Sequence, residues 1–213
     1  MKKMFISILF IIISLTAMAF DFGFGGPNIY FIPSSQVFKP YSDLSTGDGI
    51  ISFGGGGMGS VSISNNIFMG GEGSSGYYKS GDIKYNIDSG AFLVGWNYEI
   101  LNLFGLEFGT GIGGSTYRLS KTFNSSSVNT SFEDFIGGSS PYVNSVSLDT
   151  MDLSAYAGFY VHTIDFMAFF IRGKYNFSIP VSGWYLDTSD QIKDPTKSYF
   201  YYYSISAGIM FGY

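Results

Sequence analysis

The residues with most chemistry to offer in this 213-residue sequence are one histidine, His162, and five charged residues set among apolar neighbours. A lone imidazole acts as a general acid or base when a carboxylate orients it, and Asp165 follows close behind. A single histidine does not make a multi-histidine metal site. Glu72, Glu107, Asp152, Arg172 and Lys174 stand at alternating positions of otherwise apolar or small-residue segments. Strands would turn all five to one side, where charges are tolerated only with partners. An internal network of ion pairs is expected; the alternative is a polar lining that passes ions.

Two further patterns resemble ligand sites. The spacing G-x-G-x-x-G occurs at Gly54-Gly56-Gly59, at Gly71-Gly73-Gly76 and at Gly109-Gly111-Gly114. Dinucleotide binding needs those glycines between a strand and a helix. No helical periodicity follows any of them, so bending strands and making room for inward side chains is the better role. Asp187, Asp190 and Asp194 lack the spacing of a calcium loop and read as a solvated segment. No catalytic residue, cofactor or metal is expected.

The elements that position these residues begin with an export signal. Lys2 and Lys3 precede an apolar run from Met4 to Leu15, and Ala17-Met18-Ala19 supplies a cleavage site of the A-x-A type. The run is too short for a spanning helix, which needs roughly 20 apolar residues. Residues 1–19 are therefore expected to be removed, leaving 20–213 as one domain. Removal takes two of the 11 basic residues against 16 acidic ones, so the remaining chain is more acidic still. Nucleic acid is excluded as a partner on that balance. Without cysteine, disulfides and a lipid-anchoring thiol are excluded too.

Aromatic residues make up 19% of the chain and charged ones 13%, the latter about half of the usual 25%. No stretch beyond the signal is long enough for a membrane helix. A chain this apolar meets lipid only as a closed barrel, in which every backbone polar group is paired. Period-two alternation gives eight segments, near Phe22–Ile32, Ile50–Gly59, Ile67–Ser75, Ile83–Asn97, Leu103–Leu119, Val146–Val161, Phe166–Val181 and Tyr199–Tyr213. Tight connections at Ser64-Asn65-Asn66, Glu99–Asn102 and His162–Asp165 alternate with longer ones at Pro33–Gly49, Gly76–Asp82, Ser120–Ser145 and Ser182–Ser198. Membrane barrels sort their loops in this way, with short turns facing the periplasm. The expected fold is all-β: one antiparallel up-and-down transmembrane barrel of about eight strands with both termini periplasmic.

In the last segment Tyr201, Tyr203, Ile205, Ala207, Ile209, Phe211 and Tyr213 share one face, and Ser204, Ser206, Gly208, Met210 and Gly212 the other. The segment before it repeats the design, with Arg172 and Lys174 on its inner face. The signal, the eight amphipathic segments and the aromatic terminus resemble the small eight-stranded bacterial outer-membrane barrels, such as the OmpA transmembrane domain and OmpX. That resemblance implies an outer-membrane location. It also implies that Ile205, Ile209, Phe211 and Tyr213 form the signal read by the barrel assembly machinery. Enzymes of this size class use a histidine near the outer rim, whereas His162 falls in an expected periplasmic turn, solvated. The expected role is non-enzymatic, structural or contact-making at the cell surface, with membrane lipid as partner and Ser120–Ser145 as the surface for an external ligand. The alternatives are a narrow channel for ions or small solutes and a secreted sandwich or lipocalin-like carrier.

Overall fold

A computed structural model describes residues 20–33, 49–61, 64–81, 83–100, 103–122, 143–164, 166–186, 190–191 and 199–212. The signal segment with Ala17 and Ala19, Asp165, Asp187, Asp194, most of the Ser120–Ser145 connection, and Tyr213 lie outside the described residues. Among the described residues ten strands follow in chain order: β1 Phe20–Ile32, β2 Ile50–Val61, β3 Ser64–Ser80, β4 Ile83–Ile100, β5 Phe104–Thr122, β6 Val143–Ile164, β7 Met167–Pro180, β8 Tyr185–Leu186, β9 Asp190–Gln191 and β10 Phe200–Phe211.

Each of the long strands pairs antiparallel with the next, β7 pairs with β10, and β10 returns to β1. The ring of β1–β7 and β10 is therefore closed, with eight strands and no free edge along its wall. Closure follows from the alternation: β10 buries Tyr202, Ser204, Ser206 and Met210 and exposes Tyr201, Tyr203, Ile205 and Phe211. On β7, Ala168, Phe170, Arg172, Asn176 and Ser178 are buried while Phe169, Ile171 and Tyr175 are exposed. A wall of exposed Phe, Ile, Trp and Tyr on consecutive strands is unlike the surface of a water-soluble domain and suits lipid.

The three short connections, the start of β1 and the end of β10 share one end of the barrel, the turn end. The other is the loop end. One expected loop is absent: Gly76–Asp82 reads as a polar connection, yet β3 runs on to Ser80 and pairs with β4 up to Ser80↔Ile83. A tight turn at Gly81, with φ +57°, closes this hairpin. Its residues are polar because they belong to strand that continues past the apolar band. On β4 the outward apolar series Ile100, Tyr98, Trp96, Val94 and Phe92 ends at Gly90, and Asp88, Asn86 and Lys84 follow. About ten residues at about 3.3 Å each, tilted by about 40°, cover close to 25 Å of bilayer. The register of β4 with both neighbours is unbroken, so no bulge shifts its facing near Asp88–Gly90.

Inside, apolar clusters fill both ends. Ile32, Ile50, Tyr85, Ile87, Tyr117 and Tyr202 pack with Trp184 at the loop end. Met58, Phe68, Leu93 and Tyr156, with Tyr160, Phe170 and Met210, fill the turn end. The glycine triplets lie on β2, β3 and β5, none leading into a helix. Inward Gly105 and Gly95 make room for the rings of Tyr160 and Tyr156, where a Cβ would collide. Eight strands leave an interior that side chains fill.

The outward face carries a direct prediction. Ile171, 60% exposed at mid-strand on β7, faces lipid in this arrangement. Ile171→Arg should lower folding stability in bilayers by about 2–4 kcal/mol, against little for a loop change. Urea titration of the refolded barrel, followed by its gel mobility shift, measures the difference.

Candidate functional site

Between the two apolar clusters lies a layer of charge. Arg172 projects inward from β7 and holds Glu107 of β5 through two parallel bonds, Nε to Oε1 at 2.7 Å and Nη2 to Oε2 at 2.8 Å. Its third arm, Nη1, donates to Oε2 of Glu72 on β3 at 3.0 Å. Lys174, one inward step along β7, pairs with the other oxygen of Glu72. From β1 the Tyr30 hydroxyl donates to Glu72 at 3.1 Å and accepts from Asn28 Nδ2 at 3.0 Å. The guanidinium also lies over the rings of Tyr156, at 4.9 Å, and Phe170, at 5.4 Å.

These side chains are 4–12% exposed, so the pairs sit largely out of water. Two cations face two carboxylates, and the bidentate geometry is the strong form of such a bond. In the ring order, β7 and β3 stand opposite each other. The Arg172–Glu72 contact therefore crosses the full width of the lumen. A void shared by Glu72, Asp152, Lys174, Asn176 and Tyr202 measures about 10 Å³, space for about one water.

No family model matches the sequence, and no curated protein matches it. Among solved structures, Neisserial surface protein A superposes with a TM-score of 0.55 at 10% identity, covering 90% of this chain and 97% of that one. Ail, the attachment invasion locus protein of Yersinia pestis, gives 0.48 at 11% identity over 91% and 100%. A major outer membrane protein from Thermus thermophilus gives 0.48 at 6% over 91% and 100%. This chain has the fold of the small eight-stranded outer-membrane barrels.

Of the five charged residues singled out by alternation, this outer-membrane-type barrel brings Glu72, Glu107, Arg172 and Lys174 into one network. Asp152 stands apart, toward the loop end, where it accepts from Ser115 and lies 2.8 Å from the Thr150 hydroxyl. Tyr30, Asn28 and Tyr156 belong to the layer but are not evident from charge patterning. Alternation of Asn28 and Tyr30 with exposed Ile29 and Phe31 is the signal that places them inside.

His162 departs from expectation. It lies within β6 rather than in a solvated turn, its side chain 16% exposed, with Nε2 3.4 Å from Glu99 Oε1 and its ring edge-on to Tyr160. Tyr160 donates to Asn97 Oδ1 at 2.6 Å. Together they line a pocket of about 50 Å³ at the turn-end mouth. Among the described residues no group of three or more His, Cys, Asp or Glu could hold a metal. On the closing strand, Ile205 and Phe211 are exposed and Ile209 is half-buried. Outside the barrel proper, Tyr185 donates to Asp149 at 2.7 Å, which raises the phenol above its ordinary value.

Removing the guanidinium strands the buried carboxylate of Glu107 and leaves Glu72 to Lys174 and Tyr30. Arg172→Met should cost about 3–5 kcal/mol, and adding Glu107→Leu should recover part of it by removing one uncompensated charge. Denaturant unfolding in micelles, read by tryptophan fluorescence, gives both values.

Proposed function

We propose that this chain is an exported, non-enzymatic outer-membrane protein with a structural or contact-making role at the cell surface. One observation carries the reading: the Arg172–Glu72 contact spans the lumen between two apolar clusters. Among the described residues side chains fill the lumen at this level, which supports a wall that serves as an anchor and a loop end that serves as the working surface. In this reading the termini are periplasmic, residues 1–19 are the cleaved signal, and the loop between β5 and β6 meets the external partner. Ile205, Ile209, Phe211 and Tyr213 engage the assembly machinery as the barrel inserts. The fold likeness to a protein named for the Neisserial surface supports the location by analogy of fold.

The rival channel reading needs ions to pass Arg172 and Lys174. The secreted-carrier reading needs water to tolerate Ile171, Phe53, Trp96 and Phe108 on the outer wall, all of them about half or more exposed. Planar-bilayer recording on the refolded protein decides between anchor and channel. The anchor reading expects a silent bilayer with the parent chain. Sustained conductance steps whose size changes with Glu107→Gln or Arg172→Gln would overturn it.

A further inference from the structure

The outer wall of β3–β6 changes character in discrete rows of directly opposed residues. Gly71, Phe92, Ile112 and Leu153 form the last apolar row. Gly73, Gly90, Gly114 and Met151 come next, then Ser75, Asp88, Thr116 and Asp149. Above them stand Tyr77, Asn86, Arg118 and Ser147, and finally Lys79 opposite Lys84.

Three features of these rows are unexplained by the fold. Lys79 and Lys84 are exposed and face each other directly, an arrangement of like charges that destabilises a ladder. The Lys84 ammonium lies 4.6 Å over the Tyr77 ring, and exposed Arg118 is on the next strand, with Nε 3.4 Å from the Ser147 hydroxyl. Ion pairs among the described residues use His162, Arg172 and Lys174, and none of these three outer cations. Among the described residues this places three exposed cations on one wall, one or two rows above Asp88 and Asp149.

Below the cations, Ser75, Asp88, Gly90, Gly114, Thr116 and Asp149 line a shallow open trough of about 570 Å³. Its carboxylates are already held by hydroxyls: Ser75 donates to Asp88, and Thr116 and Tyr185 donate to the two oxygens of Asp149, each at 2.7 Å. Of the two glycines on the trough floor, Gly114 is set by backbone crowding, since a Cβ would meet Thr150 O at 2.9 Å, whereas at Gly90 it would meet its nearest atom at 3.9 Å, an ordinary contact distance.

We infer that this wall seats one phosphorylated glycolipid of the surrounding leaflet. Its phosphoryl group meets Lys79, Lys84 and Arg118, which relieves the opposed lysines and suits arginine and lysine chemistry. Its sugar hydroxyls meet the Ser75–Asp88–Thr116–Asp149 row, whose oxygens accept hydrogen bonds. The first carbons of an acyl chain lie over the bare glycine row and run down onto Phe92 and Ile112. Charge complementarity and the order of the rows, cation to hydroxyl to bare floor to apolar wall, select this occupant. The inference rests on the membrane reading of the barrel.

Native mass spectrometry of the folded barrel in detergent tests it, with bisphosphorylated lipid A as probe. The parent should retain one lipid A molecule. Lys79→Gln with Lys84→Gln and Arg118→Gln should weaken retention about tenfold or more. Gly90→Leu, which fills the trough but keeps every cation, should also weaken it. Dephosphorylated lipid A and phosphatidylglycerol should each bind more weakly to the parent. Equal retention by parent and variants, or phosphatidylglycerol matching lipid A, overturns the seat. Each variant is checked for the heat-modifiable gel shift of a folded barrel. A parent that never shows that shift or enters micelles would instead count against the membrane reading itself.

Discussion

The guanidinium of Arg172, held between Glu107 and Glu72, is the constraint around which the barrel interior is arranged. Buried charge is unfavourable unless every hydrogen-bonding arm is used, and here all three arms of the fork find carboxylate oxygens. Satisfying Glu72 requires an inward residue of β3 to meet inward residues of β7 and β1 at one height. That meeting is possible only if the ring closes at a radius small enough for side chains to touch across it. Gly158, beside the Glu107 carboxylate, could not accept a Cβ without collision, so even the glycine placement is fitted to the charges.

The outside answers a different requirement. A closed ring satisfies the backbone, and outward positions are then free to be apolar wherever lipid lies. Those positions stop being apolar at Asp88 and Thr116, although the strands continue for several residues. The barrel therefore has a lipid-facing belt and a polar overhang at the loop end. Inside that overhang, Tyr85, Tyr117 and Tyr202 pack with Trp184 in one buried cluster.

Much of this architecture is readable from residue order. Met167–Pro180 and Phe200–Phe211 alternate so regularly that their facing needs only the two-residue period of a strand. The same period sends Arg172, Lys174, Glu72 and Glu107 inward. Which carboxylate meets which cation is not readable, because it depends on the register between strands distant in sequence. For the same reason Asp152 looks equivalent to Glu107 in the sequence yet lies with Ser115 and Thr150. The segment Gly76–Ser80 reads as loop because polarity marks both a loop and a strand that has left the bilayer. His162 reads as a turn residue because a turn signal nearby does not reveal that Tyr160 and Glu99 hold its ring at the strand end.

The most direct test of a sealed charge layer is the solvent exchange of the Arg172 Nε proton, followed by NMR on the barrel in micelles. A side-chain proton bonded to Glu107 and roofed by apolar clusters should give a resolved resonance that exchanges far more slowly than free arginine at neutral pH. Exchange at the rate of free arginine would mean that water reaches the layer, and the account of a filled, braced interior would be wrong.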